Sequence, residues 1–542
     1  MRKNLLVVFF VGSLILLVVG VSLVAVAQSQ YGGTITEALG SEPTTLNLFQ
    51  TTRRPEEAVL NLIDEPLFIM NKQLVPEPLL VDSWETSKDG LTWTFVIKQG
   101  IKFHDGSPLN AEAVAFSINK HLKGVHAYML GSLKEAVVKD EHTVVFNFDK
   151  PYPDLLTYLA NYWIAIVSPQ TVNKLGDDYG VKGVSGTGPF VFKEWISGDR
   201  IILEKNHDYN HGPAFLSNQG PAYVDKWVFR FIVEPFTLIA ELEDGDVDCT
   251  TYVPEDAHDQ VVGNPNLELA TKPAPSSIHL AINTSPDNPP YNDVRVREAI
   301  AHAVDRKAVI KAALFGVAAP LYSLVPPGVV GYWKEGADLA YQYTNYDPEK
   351  SRSLLKEAGW VDTDGDGIRE KDGKKLDLVF FAFNIARYSR IAQVVEPMLK
   401  DVGFNVKIMV LEPGDLYERV VRGEHDLLST AWMGISLAQD VLFPTCDSEY
   451  LGTKSNWFLF SDPKFDAALD QSLSALDASE RQQAIYKAQE IVIKAALCAP
   501  VASPLDMFGY KARIGGVDEY MEHPWAFARD DAIRALLLYI KK

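Results

Sequence analysis

The chain has 542 residues, 47% hydrophobic, 23% charged and 11% aromatic, with a formal net charge of −20. One hydrophobic core stops growing at roughly 250–300 residues, so at least two domains are expected. So ordinary a composition excludes a disordered or fibrous chain, and so acidic a surface repels nucleic acid and anionic membranes.

The first residues read as an export signal. Arg2 and Lys3 precede a run of 23 apolar or weakly polar residues from Leu5 to Ala27. Ala25-Val26-Ala27 has the small-x-small form of a signal-peptidase site. The run is also long enough to span a bilayer. Two readings stay open: cleavage after Ala27, or an uncleaved anchor. No Cys follows the run, which argues against a lipid anchor. Either way the rest of the chain is exported, to the periplasm or the outer face of the cytoplasmic membrane. No second run of that length exists, so the chain is not a channel or permease. Its three cysteines, Cys249, Cys446 and Cys498, are too few for a disulfide scaffold. A Cys446–Cys498 pair and three buried free thiols are equally compatible with this count.

The segment after the leader begins as a strand, Gly32-Gly33-Thr34-Ile35-Thr36, and runs into a loop at Ser41-Glu42-Pro43. Pro55 and Glu56 open a helical pattern with Val59, Leu60, Leu62, Ile63 and Leu67 on its apolar side. Hairpins follow. Trp93, Phe95 and Ile97 alternate with Thr92, Thr94, Val96 and Lys98, the period-2 pattern of a half-buried strand. Residues 144–148 and 190–195 continue the series, the latter turning at Gly198-Asp199 into 201–204.

The second half alternates helices with short apolar strands. Asp293 and Asp305 stand where helix caps are expected, the first before Val296, Ala299, Ile300 and Ala303 at helical spacing. Asp347-Pro348 starts a further helix that Gly359 ends, and Asp462-Pro463 and Asp477 open two more. Strands are predicted over 376–381 and 406–410, with a helix over 391–399 between them. This alternation implies an α/β lobe with some parallel pairing. No linker of low complexity separates the halves, so the domains are expected to be interwoven by crossing strands.

No catalytic motif stands out. The sequence has no G-x-x-x-x-G-K-[ST], H-E-x-x-H or C-x-x-C. Ser185 lies in Gly183-Val184-Ser185-Gly186-Thr187, where a nucleophile elbow needs glycine at the fifth position. One acidic loop resembles the first half of a calcium loop: Asp362, Asp364 and Asp366 stand at positions 1, 3 and 5, with Gly367 at 6. Position 12, where a bidentate Glu belongs, is Gly373, and Glu370 falls at 9. A partial calcium site and a solvated acidic turn are the two readings, and the missing Glu favours the turn.

Several stretches, in order, resemble the family 5 extracellular solute-binding proteins of ABC importers, which include dipeptide- and oligopeptide-binding proteins. The fullest is Ser83-Trp84-Glu85-Thr86-Ser87-Lys88-Asp89-Gly90-Leu91-Thr92-Trp93-Thr94-Phe95, continued by Lys102-Phe103-His104-Asp105-Gly106. Others are Gly186-Thr187-Gly188-Pro189-Phe190, Gly245-Asp246-Val247-Asp248, Val294-Arg295-Val296-Arg297-Glu298-Ala299-Ile300 and Tyr346-Asp347-Pro348-Glu349-Lys350. The resemblance implies an α/β, two-lobed periplasmic-binding-protein fold, a venus flytrap of the type II, cluster C-like kind. Its first lobe would take residues 28–281, with an extra subdomain inserted at about 50–180. The second lobe would take 282–505, and 506–542 would return to the first. The two lobes would close on a solute and present it to the permease subunits of the importer, with no catalysis and no required cofactor; an exported sensor or chaperone of the same fold is the alternative role.

The resemblance also suggests where the solute sits. Trp432 matches a family Trp that shields the ligand, but the position three residues on, an Asp that pairs with a peptide ammonium in the peptide binders, is Ile435. An apolar side chain there leaves such a charge unpaired, which is costly. This departure makes an oligosaccharide an alternative to an oligopeptide, unless Asp440 supplies the missing carboxylate. The expected contacts are Trp432, Ser436 and Asp440 from the second lobe, Ser41, Glu42 and Thr44 from the first loop, and Asn384, Arg387 and Tyr388 near a strand end.

Overall fold

A computed structural model of the protein describes residues 32–434, 436–453, 455–524 and 531–541. The leader, residues 1–27, and Ile435 lie outside them. Among the described residues no helix is long and apolar enough to cross a membrane.

A strand of 14 residues, Cys498–Lys511, is the spine of the molecule. Its first part pairs with Ser277–Ile282, and its second with Leu267–Pro273 and Cys249–Thr250. One mixed sheet thereby spans both halves. On one side it continues through Ser277–Ile282 to Leu427–Trp432, Asp377–Phe383 and Asn405–Leu411. On the other it continues through Cys249–Thr250 to Thr34–Leu39, Lys226–Phe231, Arg200–Lys205 and Phe190–Ile196. The chain crosses between the halves at 274–276 and again at 502–505, within that spine. The two crossings are tied together: Ala274 N donates to Pro504 O at 2.8 Å and Ser503 Oγ to Ala274 O at 2.5 Å.

The second lobe is three-layered. Along Asp377–Phe383 the side chains of Leu378, Phe380 and Ala382 enter one core and those of Phe381 and Phe383 the other. A strand buried on both faces needs this continuous apolar run, and the helices that cover it follow from strong local signals. Asp293, Asp305, Asp347, Asp462 and Asp477 each accept a hydrogen bond from a backbone N–H in the first turn of the helix they precede. Such caps contribute about 1 kcal/mol each. Pairing in this lobe is parallel between Asp377–Phe383 and both of its neighbours.

The first lobe carries an inserted antiparallel sheet ordered Val81–Thr86, Thr92–Ile97, Thr143–Phe148, Leu133–Val138. The alternation of Trp93, Phe95 and Ile97 is the buried face of its second strand. The Gly186-Thr187-Gly188 motif has a packing cause. A Cβ at Gly186 would lie 2.1 Å from Ile63 O, and one at Gly188 2.7 Å from the same oxygen. The backbone can pass there only without side chains, which lets Thr187 Oγ1 donate to the buried carboxylate of Glu65 at 2.7 Å. Tyr209 Oη donates to the other oxygen, and His211 Nε2 lies 2.7 Å from the first. Burial alone would raise the Glu65 carboxyl, but His211, Thr187 and Tyr209 outweigh it and hold it below its ordinary value.

Cys249, Cys446 and Cys498 are buried free thiols, so of the two readings of the cysteines the structure carries the second.

Candidate functional site

Parallel strands Asp377–Phe383 and Leu427–Trp432 end at the same edge of the second lobe, where α/β sheets place their ligands. Trp432, Met433 and Gly434 leave that edge and line a cavity of about 890 Å³. The rest of that wall comes from the helix Ala438–Cys446, through Gln439, Asp440 and Phe443, and from Glu449, Tyr450 and Asp470. The facing wall belongs to the inserted subdomain: Tyr128, Lys150, Tyr152 and Tyr158. The cavity therefore lies between the two lobes. A smaller cavity of about 250 Å³ shares Met433 and Gly434 with it and reaches the crossing segment at Ala274, Pro275 and Ser276. Ser276 Oγ accepts from Gly434 N at 3.1 Å, which joins the hinge to the rim of the site.

Aromatic rings give the walls their shape. Tyr152 and Tyr158 stack at 5.8 Å with an 11° interplanar angle, and Phe443 meets Tyr450 edge-on at 5.0 Å. Trp432 packs against Trp457 at 5.5 Å, so its ring is braced from behind. Burial pushes the Tyr152 and Tyr158 hydroxyls well above their ordinary value, so both remain neutral donors.

Direct contacts close the cavity. Tyr158 Oη donates to Asp440 Oδ1 at 2.7 Å, while the other Asp440 oxygen accepts from Ser436 N and Leu437 N. Gln439 Nε2 donates to Asp154 Oδ2 at 3.4 Å, and Arg481 Nε lies 3.7 Å from Asp154 Oδ1. The Tyr158–Asp440, Gln439–Asp154 and Arg481–Asp154 contacts each join the inserted subdomain to the second lobe.

Of the residues expected at the site, Trp432 and Asp440 line the cavity. Ser436 is buried one turn away, and its Oγ has no hydrogen-bond partner among the described residues. The others are engaged elsewhere. Ser41 Oγ accepts from Arg53, and Thr44 donates through N and Oγ1 to Glu56. Glu42 accepts from Trp195 Nε1 and from Gly198 N, pinning the hairpin turn of the first lobe. Asn384 donates to Glu412, Tyr388 packs on Phe383, and Arg387 forms an ion pair with Glu255 at 2.6 Å. None of these six side chains faces the cavity. The residues not anticipated are those of the opposite wall, above all Lys150, Tyr152 and Tyr158. Tyr152 sits in the run Pro151-Tyr152-Pro153-Asp154 and Tyr158 in the five-residue helix Leu155–Leu159; both segments are too short for a periodic pattern, and the aromatic residues clustered from Tyr152 to Trp163 were the available signal.

In the acidic loop, ligand oxygens of Asp362, Asp364, Asp366 and Glu370 lie within 4.8 Å of one another. The loop's own groups already engage them: Lys375 Nζ pairs with Asp366, and Gly365 N and Gly367 N donate to Asp362. Glu370 Oε2 accepts from Thr363. None of the four lines the cavity.

Two lobes that share one crossing sheet and face each other across a cleft define a two-lobed periplasmic binding protein. The sequence profile of the bacterial extracellular solute-binding proteins, family 5, matches residues 75–450, and the chain belongs to that family. The glutathione-binding protein GsiB of Salmonella typhi is 28% identical over 470 residues, covering 84% of this chain and 86% of that protein. The oligopeptide-binding protein AppA from Bacillus subtilis, solved with a nonapeptide, superposes with a TM-score of 0.70 at 25% identity, covering 95% of this chain and 100% of AppA. The periplasmic binding protein DppA from Helicobacter pylori, solved with the peptide STSA, gives the same TM-score and identity over 95% and 99%.

Proposed function

We propose that the protein captures a short peptide in the cavity between its lobes and hands it to the permease of an ABC importer. The observation that carries this reading is the cleft of about 890 Å³ between the lobes, walled by Trp432 on one lobe and by Tyr152 and Tyr158 on the other. A carrier needs tighter binding to its closed form, and side chains that meet across the cleft supply that difference. It acts as a carrier and not as an enzyme, and works outside the cytoplasm after export through the 1–27 leader, with cleavage after Ala27. The relatives that bind glutathione or peptides favour a peptide over the oligosaccharide that Ile435 had made an alternative. Asp440, the carboxylate considered as a replacement for the one missing at 435, lines the cavity with both oxygens already engaged by Tyr158 and two backbone N–H groups.

Thermal melting with a pool of tripeptides to pentapeptides, and in parallel with β-linked oligosaccharides, tests the reading. Ligand at about 1,000 times its dissociation constant stabilises the bound form by about 4 kcal/mol, a clear shift in Tm. A shift with the peptide pool is expected. A shift with the sugars alone would overturn it.

A further inference from the structure

The charges around the cavity are unequal. Three carboxylates line it, Asp440, Glu449 and Asp470, against a single cation, Lys150. All three acids stand on the second lobe, whereas Lys150 follows the inserted strand Thr143–Phe148 on the opposite wall. Asp440 is held by Tyr158 and two backbone N–H groups. The carboxylates of Glu449 and Asp470 and the ammonium of Lys150 make no side-chain hydrogen bond or ion pair among the described residues, so all three are free to meet a solute.

We infer that the cavity selects peptides of net positive charge, with the cationic groups of the peptide turned toward Glu449 and Asp470 and its carboxylate toward Lys150. This inference rests on the peptide-carrier reading and narrows it. Three arguments support it. A free peptide brings one ammonium and one carboxylate, and Lys150 answers the carboxylate, which leaves more acid on the wall than the ammonium alone neutralises. A basic side chain fills that deficit. The acids gathered on one wall also give the cleft a negative potential, which favours a cationic solute held at close range. Finally, the acids are interleaved with Trp432, Phe443 and Tyr450, whose ring faces attract cations and repel carboxylates. By the same reasoning glutathione, which has one more carboxylate than it has ammonium groups, is a poor fit here although relatives are named for binding it.

The test is isothermal titration of the whole protein with Ala-Lys-Ala, Ala-Ala-Ala, Ala-Glu-Ala and glutathione, and with the matching pentapeptides. The expected order is Lys over Ala over Glu, with about tenfold in affinity between the first two, and glutathione weaker than Ala-Ala-Ala. The double variant Glu449→Gln, Asp470→Asn, both at exposed positions, should shrink the Lys-to-Ala ratio to less than about threefold. Equal affinities across the series, a preference for Ala-Glu-Ala or glutathione, or a Lys-to-Ala ratio unmoved by the double variant would overturn the inference while leaving the peptide carrier intact. Binding by no peptide of either length would overturn the carrier reading itself, and the inference with it.

Discussion

Arg534 and Glu37 form an ion pair of 2.8 Å in the core of the first lobe, with both side chains fully buried. The second Glu37 oxygen accepts from Trp227 Nε1 at 3.0 Å. The guanidinium lies 5.5 Å from the Trp227 ring and 5.6 Å from that of Phe508. The C-terminal segment is thus anchored to the strand Thr34–Leu39 by charge, hydrogen bond and ring contact together. Removing one member of such a pair strands the other charge in a low dielectric, which costs about 3–5 kcal/mol. Arg534→Met should lower the unfolding free energy by that amount in urea titration of the ligand-free protein. Adding Glu37→Gln should recover part of it. A loss below about 1 kcal/mol for the single variant would show that the segment is held by its apolar contacts instead.

Arg387, one of the expected contacts near a strand end, pairs with Glu255 of the first lobe, as does Arg390 at 3.2 Å. Glu255 keeps Arg390 when Arg387 is removed, so the link between the lobes survives. Arg387→Ala should therefore change peptide affinity by less than about threefold. Trp432→Ala, which strips an aromatic face from the cavity, should weaken it about tenfold or more. Calorimetry of both variants with one peptide checks the pair of expectations, and loss of binding on Arg387→Ala would return that residue to the site.

The cysteines give a redox expectation. Burial pushes the Cys498 thiol up to about 12 and the Cys446 thiol higher still. Neither forms thiolate near neutral pH, and thiolate is the reactive form. Iodoacetamide should leave the native protein unlabelled and label three thiols after unfolding, with no change of Tm on adding reductant. Recovery of a single thiol from the unfolded, unreduced protein would mean that a disulfide forms in the oxidising compartment.

The strands and helices of the second lobe were legible because their signals are local. An Asp before an amphipathic run, and an unbroken apolar run from Leu378 to Phe383 in a strand buried on two faces, need no knowledge of distant partners. The long strand Cys498–Lys511 was not anticipated as the spine, because its role depends on pairing with strands more than two hundred residues away. The site was half legible for the same reason. Trp432 and Asp440 follow a strand end on their own lobe, whereas Tyr152 and Tyr158 reach the cavity only once the inserted sheet has folded over it. The loop residues Ser41, Glu42 and Thr44 are polar and near the start of a strand, features shared by a ligand contact and a hairpin pin. Only the Trp195 and Glu56 contacts distinguish the two.

Asp154 links closure to pH. Its carboxylate reaches across the cleft to Gln439 and Arg481, with Asp440, Tyr152 and Tyr158 close enough to act on it. Burial pushes this carboxyl up to about 6, with Arg481 opposing the shift and Asp440 adding to it. Gln439 and Arg481 both belong to the second lobe, so opening the cleft returns Asp154 to water and toward its ordinary value near 3.8. The closed form then binds the proton more tightly than the open form does. Closure has its full advantage below the ordinary carboxylate value and loses it as pH rises through about 6. Affinity for a peptide without ionisable side chains should fall about tenfold, or about 1.4 kcal/mol, between roughly pH 4.5 and 6.5 and stay level above that. Asp154→Asn, which keeps the shape and removes the charge, should flatten the profile and bind at pH 7 as tightly as the native protein does at low pH. A native profile that is flat across this range, or that rises with pH, would show that Asp154 stays ionised when the lobes shut and that Arg481 holds it there.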